Sequence, residues 1–262
     1  MLFGKYMRVE TVKDIESIDG KPDILFIGDP GCPYFLQDIN KVIEFLEFSK
    51  SLNMDLHYIS PKLTNNDFDL EYQKLKLLMA YNVRITINDY GMLHNIRHSI
   101  KKESKVYIGN TLTKSIRDLV WSSVFFRDEK HTAIDYLSRN NYTDSIKIKF
   151  IKDCGISGIE VFVDSMSEDG LEYVISNGLE VIGYCGYKIA AISRICPCLH
   201  IHQRSYGYEC QTLCKKPYTI KAADKASELY PELILAGSVL YYENKQKTYD
   251  ISKYSVIVEM II

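Results

Sequence analysis

Residues 23–46 have the sequence DILFIGDPGCPYFLQDINKVIEFL, and this stretch carries the pattern that predicts the fold. An apolar run of strand length ends in a Gly–Asp–Pro–Gly turn, and apolar residues then recur at helical spacing. Strand and helix signals alternate in this way over residues 1–182. Such alternation predicts a mainly parallel sheet covered by helices, and its length favours a barrel over an open sheet. We therefore predict an α/β fold of TIM-barrel-like form, with residues 1–262 in a single domain.

Residues 183–262 have a different character. Cysteines, histidines and short strand-like pieces replace the alternation there, so we describe this part as a cysteine-rich C-terminal segment. Within it we predict a β hairpin formed by residues 238–242 and 248–251, followed by a final strand near 256–261. In the alternating part, strands are predicted at 23–27, 56–59, 83–87, 106–108, 159–163 and 179–182, and helices at 35–46, 69–81, 89–101, 145–153 and 167–176.

The bulk composition excludes several classes of protein. Lys and Arg total 32 against 34 Asp and Glu, and no run of basic residues exceeds two, so nothing indicates binding to a nucleic-acid backbone. No stretch has the roughly 18–20 apolar residues that a membrane span requires. The first residues do not form a secretory signal, so we expect a cytoplasmic protein. In that reducing compartment the seven cysteines are expected to be metal ligands or catalytic groups rather than disulfides.

Most of the thiols cluster between residues 196 and 214, in the sequence CPCLHIHQRSYGYECQTLC. The four cysteines of this segment would suffice for a tetrahedral zinc site, but their C-x-C-x11-C-x3-C spacing differs from the C-x2-C pairs of zinc ribbons. An iron–sulfur cluster also takes four thiolates and often draws one from a distant part of the chain. Cys32 is the candidate for that ligand, because it follows the strand at 23–27 and so lies at the face where barrels place their sites. Cys196 follows the strand-like segment 189–192 and can reach the same end.

Three motifs are similar to those of a known family: IGDPGCP at 27–33, INDYGML at 87–93, and GYKIAAISRIC at 186–196. The first resembles an early strand that ends in a turn and a ligating cysteine, and the second a strand-to-helix signature. The third resembles a segment in which a glycine, a serine and a cluster cysteine keep fixed intervals. The sequence thus resembles the collagenase-like peptidase family, unclassified peptidase family thirty-two, over roughly residues 5–215. It is most similar to the family's small members, the paired iron–sulfur proteins of oxygen-independent ubiquinone hydroxylation.

The resemblance implies a barrel-like α/β domain that holds a 4Fe–4S cluster. The implied ligands are Cys32, Cys196, Cys210 and Cys214. The sequence departs from the family at two places, since Ile195 stands where the family often has Arg before the cluster cysteine, and Cys198 is an extra thiol. Cys198 could therefore substitute for Cys196 as a ligand. Zinc bound by the cysteines of residues 196–214 is the alternative cofactor.

The resemblance also implies a function, namely the oxygen-independent, anaerobic hydroxylation of a small organic substrate by this protein or by an enzyme of which it is a subunit. It further implies a heterodimer with a related member of the family. Two alternatives remain open: a non-catalytic, cluster-bearing partner subunit, and a peptidase-like protein with a structural zinc site. Peptidase activity itself is disfavoured, because the sequence has no G-x-S-x-G, no H-E-x-x-H and no papain-like cysteine setting.

Other chemistry-bearing residues have structural interpretations. Asn88 and Asp89 are expected to form a strand-end turn and a helix cap. If they lie in the mouth of a barrel, they are also candidates for contact with the substrate. Cys154 and Cys185 are expected to be structural thiols, because unpaired cysteines commonly behave as small hydrophobic residues.

Overall fold

The computed structural model describes residues 1–113, 140–193, 196–197, 214, 216–221, 231–244 and 250–262. The strands there are β1 (Leu2–Tyr6), β2 (Ile24–Gly28), β3 (Asp55–Ile59), β4 (Arg84–Ile87), β5 (Val106–Ile108), β6 (Gly158–Phe162), β7 (Glu180–Cys185), β8 (Tyr187–Ile192), β9 (Tyr218–Ile220), β10 (Leu233–Ala236), β11 (Val239–Glu243) and β12 (Val256–Met260). The α-helices are α1 (Val12–Glu16), α2 (Ile39–Ser51), α3 (Phe68–Ala80), α4 (Tyr90–Ile96), α5 (Ser145–Asp153) and α6 (Glu168–Ser176). None of the helices in these parts of the chain is long and apolar enough to cross a membrane.

Eight parallel strands close into a barrel, in the order β1-β12-β7-β6-β5-β4-β3-β2. The alternation of side chains along each strand produces two cores. In β2, Leu25 and Ile27 pack outward with residues of the helices, whereas Phe26 packs inside the barrel with Tyr184 of β7 and Val258 of β12. Strands buried on both faces have near-continuous apolar sequences, as β2 does. The predicted TIM-barrel-like α/β fold is confirmed.

The barrel is closed by the pairing of its first and last strands. β1 runs parallel to β12, with Leu2 opposite Val256. The predicted final strand near 256–261 is confirmed, but it is the eighth barrel strand rather than part of a separate C-terminal segment. β1 is not predicted from the sequence, because Gly4 and Lys5 interrupt its apolar pattern.

A second sheet, with four antiparallel strands in the order β8-β11-β10-β9, lies between β7 and β12 in the chain. We call it the small sheet. Its residues Val239 and Tyr241 share a buried core with Phe26 of the barrel interior. Lys188 of β8 is 3% exposed and pairs with Asp164, in the loop after β6, at 2.7 Å. The small sheet therefore covers the carboxyl mouth of the barrel on its axis.

The predicted hairpin of residues 238–242 and 248–251 is wrong in its second strand. β11 pairs with β10 on one side and with β8 on the other, so both of its edges are occupied. Its hairpin partner is the preceding strand, because Gly237 and Ser238 form a two-residue turn in which Gly237 has φ +63°. Residues 245–249 lie outside the described residues. The heterodimer with a related member of the family stays a prediction.

A buried polar cluster lies inside the barrel. The Glu160 carboxylate accepts hydrogen bonds from Thr86 Oγ1 at 2.5 Å and from the Tyr184 hydroxyl at 2.9 Å. His57 Nε2 lies 2.6 Å from Thr86 Oγ1, and the His57 ring stacks on Phe26 with the centroids 4.3 Å apart. Burial lowers the pKa of His57 well below its usual value, so this imidazole is neutral. Burial also raises the pKa of Glu160 to about 7, against the opposing effect of its hydrogen bonds.

We expect Glu160 to make the stability of the fold depend on pH. An unfolded chain releases the Glu proton near a pKa of about 4.3, whereas the folded protein keeps it up to about pH 7. The folded state therefore binds more protons across this window, and its stability falls as pH rises, by about 4 kcal/mol in all. Glu160→Gln removes this dependence. Urea unfolding of both proteins at several pH values between about 4 and 8 measures their free energies of unfolding. The free energy of the variant should rise relative to that of the wild type as the pH increases.

The comparison between the wild type and Glu160→Gln is needed because His57 changes the stability with pH in the direction opposite to Glu160. Its lowered pKa means that the unfolded chain binds the extra proton below about pH 6.5, so its contribution to stability rises with pH. His57 is present in both proteins, and its contribution largely cancels in the difference. A difference in unfolding free energy that stayed constant with pH would show that Glu160 is ionised throughout.

Candidate metal centre

The loop after β2 carries Cys32 at the carboxyl end of the barrel. Gly28 ends the strand at φ +110°, a conformation that glycine alone adopts readily. The carboxylate of Asp29 then accepts hydrogen bonds from the backbone N–H groups of Gly31 and Cys32, each at 2.9 Å. These bonds fold the loop back and hold Cys32 in the interior, where it is 4% exposed. Cys32 thus lies at the barrel mouth, as its position after a strand predicts.

Arg8, in the loop after β1, connects the Cys32 loop to Cys214. Its Nε lies 3.5 Å from Asp29 Oδ2, and its Nη2 donates a hydrogen bond to Cys214 Sγ at 3.4 Å. The guanidinium also lies over the ring of Phe35, 4.5 Å from the centroid. Cys32 and Cys214, which are far apart in the sequence, therefore share one cation as a common neighbour.

The chain segment that leads to Cys196 begins beside the same loop. A Cβ at Gly31 would lie 2.8 Å from Ile192 Cγ2, so the end of β8 packs directly against the loop after β2. Ser238 fastens this contact, because its Oγ donates to the Gly31 carbonyl at 2.7 Å and its carbonyl accepts from the Ser193 N–H at 2.9 Å. Cys196 follows Ser193 by three residues, which span at most about 10 Å of extended chain. Cys196 is therefore near the same end of the barrel.

Three of the four predicted ligands lie in the described part of the chain. Cys32 is buried, Cys196 and Cys214 are partly buried, and all three are free of disulfides. Cys210 and the substitute ligand Cys198 lie outside the described residues. Among the residues that are described, no three or more His, Cys, Asp or Glu side chains are grouped closely enough to hold a metal ion. The complete ligand set stays a prediction.

The electrostatics of the loop suit a metal-bound thiolate better than a free one. Burial and the negative charge of Asp29 raise the pKa of Cys32, whereas the charge of Arg8 lowers it. A free Cys32 is therefore a protonated thiol at neutral pH. A metal ion deprotonates a thiol that coordinates it, and the thiolate formed here would lie near the guanidinium of Arg8. Cys32 and Cys214 are thus two possible thiolate donors at this mouth, although Cys32, Cys196 and Cys214 are not grouped around one point in the described part of the chain.

The two residues predicted for substrate contact are engaged in the scaffold. Asn88 is 1% exposed, its Nδ2 donates to the Ser60 carbonyl at 2.9 Å, and its Oδ1 accepts from Thr111 Oγ1 at 2.6 Å. The Asp89 carboxylate accepts a hydrogen bond from the Met92 N–H at 3.0 Å, so the predicted helix cap is confirmed. Contact with a substrate stays a prediction, and for Asn88 it would require one of these bonds to open.

A cavity of about 340 Å³ opens at the rim of the mouth, beside Cys214. Arg8 and Cys214 are part of its lining, and apolar surface comes from Met7 after β1, Ala236 of the small sheet and Ile261 after β12. This volume is within the range that holds small organic molecules. Because the small sheet covers the barrel axis, the cavity offers a side approach to Cys214.

Arg8 is the residue of this site that sequence reasoning misses. It follows a strand that is not predicted, and it belongs to none of the motifs. The available signal is indirect: Asp29, in a motif directly after a strand, is a buried carboxylate that needs a cation as its partner. The sequence alone does not say which of its 32 basic residues supplies that cation.

Comparison with one solved structure supports the fold. The chain is similar to the U32 peptidase Mk0906, with a TM-score of 0.51 and 8% sequence identity, over 100% of this chain and 92% of that chain. A mutant protein solved in complex with xylotriose has a TM-score of 0.41 and 12% identity, over 72% of this chain and 71% of that chain. No family model and no curated protein matches the sequence. The likeness to the U32 peptidase is one of fold, and the relation to iron–sulfur proteins of ubiquinone hydroxylation stays a prediction.

Proposed function

We propose that this protein holds a 4Fe–4S cluster at the carboxyl mouth of its barrel and takes part in an oxygen-independent modification of a small organic substrate. The proposed ligands are Cys32, Cys196, Cys210 and Cys214. The observation that carries the proposal is the position of Arg8, which contacts Cys214 Sγ and also the carboxylate that holds the Cys32 loop. Thiolate ligands concentrate negative charge, and the partly buried guanidinium beside Cys214 would offset it.

The surroundings of Cys214 favour a cluster with a redox role over a structural zinc ion. Structural zinc sites are closed and four-coordinate, whereas Cys214 lines a cavity that a small molecule can occupy. A distant ligand such as Cys32 is also more typical of a cluster than of a zinc knuckle. The zinc alternative uses only local ligands, namely Cys196, Cys198, Cys210 and Cys214.

The residues around the cavity have separate tasks in this proposal. When bound, the cluster would supply electron transfer. Met7, Ala236 and Ile261 would hold the apolar body of the substrate and keep water from Cys214. The small sheet closes the barrel axis, so the substrate would approach from the rim. The same arrangement serves a subunit that only carries electrons to a partner, and activity of the isolated chain separates the two cases.

The similar structure Mk0906 is named as a peptidase, but peptidase activity has less support for this chain. A nucleophilic cysteine needs a lowered pKa and usually a neighbouring histidine. Burial raises the pKa of Cys32 instead, and His57 is engaged with Thr86 inside the barrel. Cys32 is therefore better suited to bind a metal group than to attack a peptide bond.

The visible spectrum of the full chain, purified without oxygen, tests the proposal. We expect a brown protein with the broad absorption of iron bound by thiolates and sulfide, because four cysteines meet the ligand requirement of a 4Fe–4S cluster. Dithionite should bleach this absorption by one-electron reduction, and reoxidation should restore it. A colourless protein that contains stoichiometric zinc would contradict the proposal and favour the structural alternative.

A further inference from the structure

We propose that a second cavity, on the side of the barrel opposite Cys214, binds a small aromatic carboxylate. The cavity has a volume of about 680 Å³ and is lined by residues of α4, of the loop after β5, and of α5 with the turn before it. β4 and β5 stand opposite β1 and β12 in the closed order of the strands. The site is therefore separate from the proposed cluster, and the inference goes beyond the proposed function without depending on it.

Large apolar and aromatic side chains are exposed together around this cavity. Ile146 is 77% exposed, Tyr90 44% and Phe150 42%, and all three belong to the lining. Ile146 and Phe150 are four residues apart in α5, so they lie on the same face of the helix. Single exposed apolar residues are ordinary, but a group of them around a concave surface is typical of a binding site. The rings of Tyr90 and Phe150 suit an aromatic ligand.

The charge of the lining selects an anion. The described lining residues include one cation, Lys147, and no carboxylate. The closest carboxylate in the sequence belongs to Asp144, and it caps α5 by accepting the Ile146 N–H at 2.7 Å. A single ammonium group matches a ligand with one negative charge, such as a carboxylate, better than a phosphate with up to two.

The hydroxyl of Tyr90 supplies a second group for the anion. It lies 2.8 Å from the hydroxyl of Tyr142, which is 1% exposed and has Tyr90 as its partner in the described part of the chain. A buried O–H without an acceptor is costly, so Tyr142 donates and Tyr90 accepts. The hydrogen of Tyr90 is then available to a ligand. A carboxylate has two oxygens, one for this hydroxyl and one for the ammonium of Lys147.

Asn141 adds an acceptor for a polar substituent on the ligand. Its Nδ2 donates to the Leu112 carbonyl at 2.6 Å, whereas its Oδ1 is buried and accepts no hydrogen bond from any described residue. Buried acceptors without a donor are uncommon because they cost free energy. A hydroxyl group on the aromatic ring would provide the missing donor.

The cavity is also connected to a residue that the sequence predicts for substrate contact. Thr111 lines the cavity, and its Oγ1 donates to Asn88 Oδ1 at 2.6 Å. Asn88 is itself anchored by its bond to the Ser60 carbonyl. Asn88 would therefore act through Thr111 as a positioning residue, and none of its hydrogen bonds would have to open.

Isothermal titration calorimetry of the full chain tests the inference with two probes, para-hydroxyphenylpropionate and its neutral amide. We expect saturable binding of the carboxylate and about tenfold weaker binding of the amide, because the amide lacks the charge that Lys147 meets. Lys147→Met should weaken binding of the carboxylate about tenfold and leave that of the amide unchanged. Phe150→Ala should weaken the binding of both probes by a similar factor, since it removes apolar contact area alone.

Lys149→Met is the matched control. Lys149 is exposed on the same helix and is absent from the described lining, so this variant loses the same charge outside the cavity. It should bind both probes as the wild type does. No saturable binding of the carboxylate by the wild type, or equal affinities for the two probes, overturns the inference. Equal losses in Lys147→Met and Lys149→Met also overturn it, because they would reflect the overall charge of the helix. Each of these outcomes leaves the proposed cluster untouched, since iron content is a separate measurement.

Discussion

Replacement of Cys32 by Ser is expected to strip most of the iron from the anaerobically purified protein, as severely as replacement of Cys210 or Cys214. Loss of groups that merely support a metal ligand costs about 10–100-fold in metal affinity, and loss of a ligand should cost at least as much. The effect should occur although Cys32 is remote in sequence from the other cysteines, because its loop lies beside Arg8, which contacts Cys214. Iron per chain, measured on folded protein, is the readout.

Cys154→Ser is the matched control for this prediction. Cys154 is about as buried as Cys32, at 5% against 4% exposure, but it belongs to the core under the helices. Iron content should be almost unchanged in this variant. Cys196→Ser should show a milder loss than Cys32→Ser, since Cys198 can substitute. Full iron in Cys32→Ser would refute the assembly proposed at the barrel mouth.

Replacement of Gly28 by Ala is expected to destabilise the fold by about 4 kcal/mol. Gly28 has φ +110°, and a Cβ there would overlap the carbonyl oxygen of Ile59 in the neighbouring strand. Backbone strain of this kind costs about 1–3 kcal/mol, and overpacking against a rigid neighbour costs a further 1–3 kcal/mol or so. Because Gly28 directly precedes Asp29, any shift that relieves the overlap should also move the Cys32 loop. Urea unfolding measures the first effect, and iron content the second.

Gly178→Ala measures the cost of backbone strain in the absence of steric overlap. Gly178 also has a positive φ, of +80°, but a Cβ there would meet nothing within 4 Å. We expect this variant to lose only about 1–2 kcal/mol, the cost of a left-handed conformation, and to keep its iron. Equal losses in the two variants would mean that β3 moves away from the new methyl group at little cost.

The barrel could be predicted because its pattern is local. In residues 23–46 the strand, the turn and the helix each have their own signal, and all of these elements are present. The boundary of α2 was less predictable: Phe35 and Leu36 are apolar at helical spacing, yet the helix begins after Asp38, whose carboxylate caps it by accepting the Asn40 N–H. Leu36 instead has φ +53°, outside any helix.

The site depends on long-range tertiary contacts that local sequence patterns do not predict. The place of Cys32 follows from the rule that the carboxyl ends of parallel strands meet at one face. The hydrogen bond from Arg8 to Cys214 joins residues 206 positions apart, across a strand that the sequence did not reveal. The strand pairing of the small sheet could not be predicted either. β11 pairs with β10 at one edge and with β8 at the other, and both partners precede it in the chain. Such pairings are fixed by tertiary packing rather than by propensity.

The most direct test of a cluster at this barrel mouth is to measure iron, acid-labile sulfide and zinc on one anaerobically purified sample of the full chain. We expect about four iron and about four sulfide per chain, with little zinc. Stoichiometric zinc without acid-labile sulfide would contradict this expectation and would assign the cysteines to a structural site.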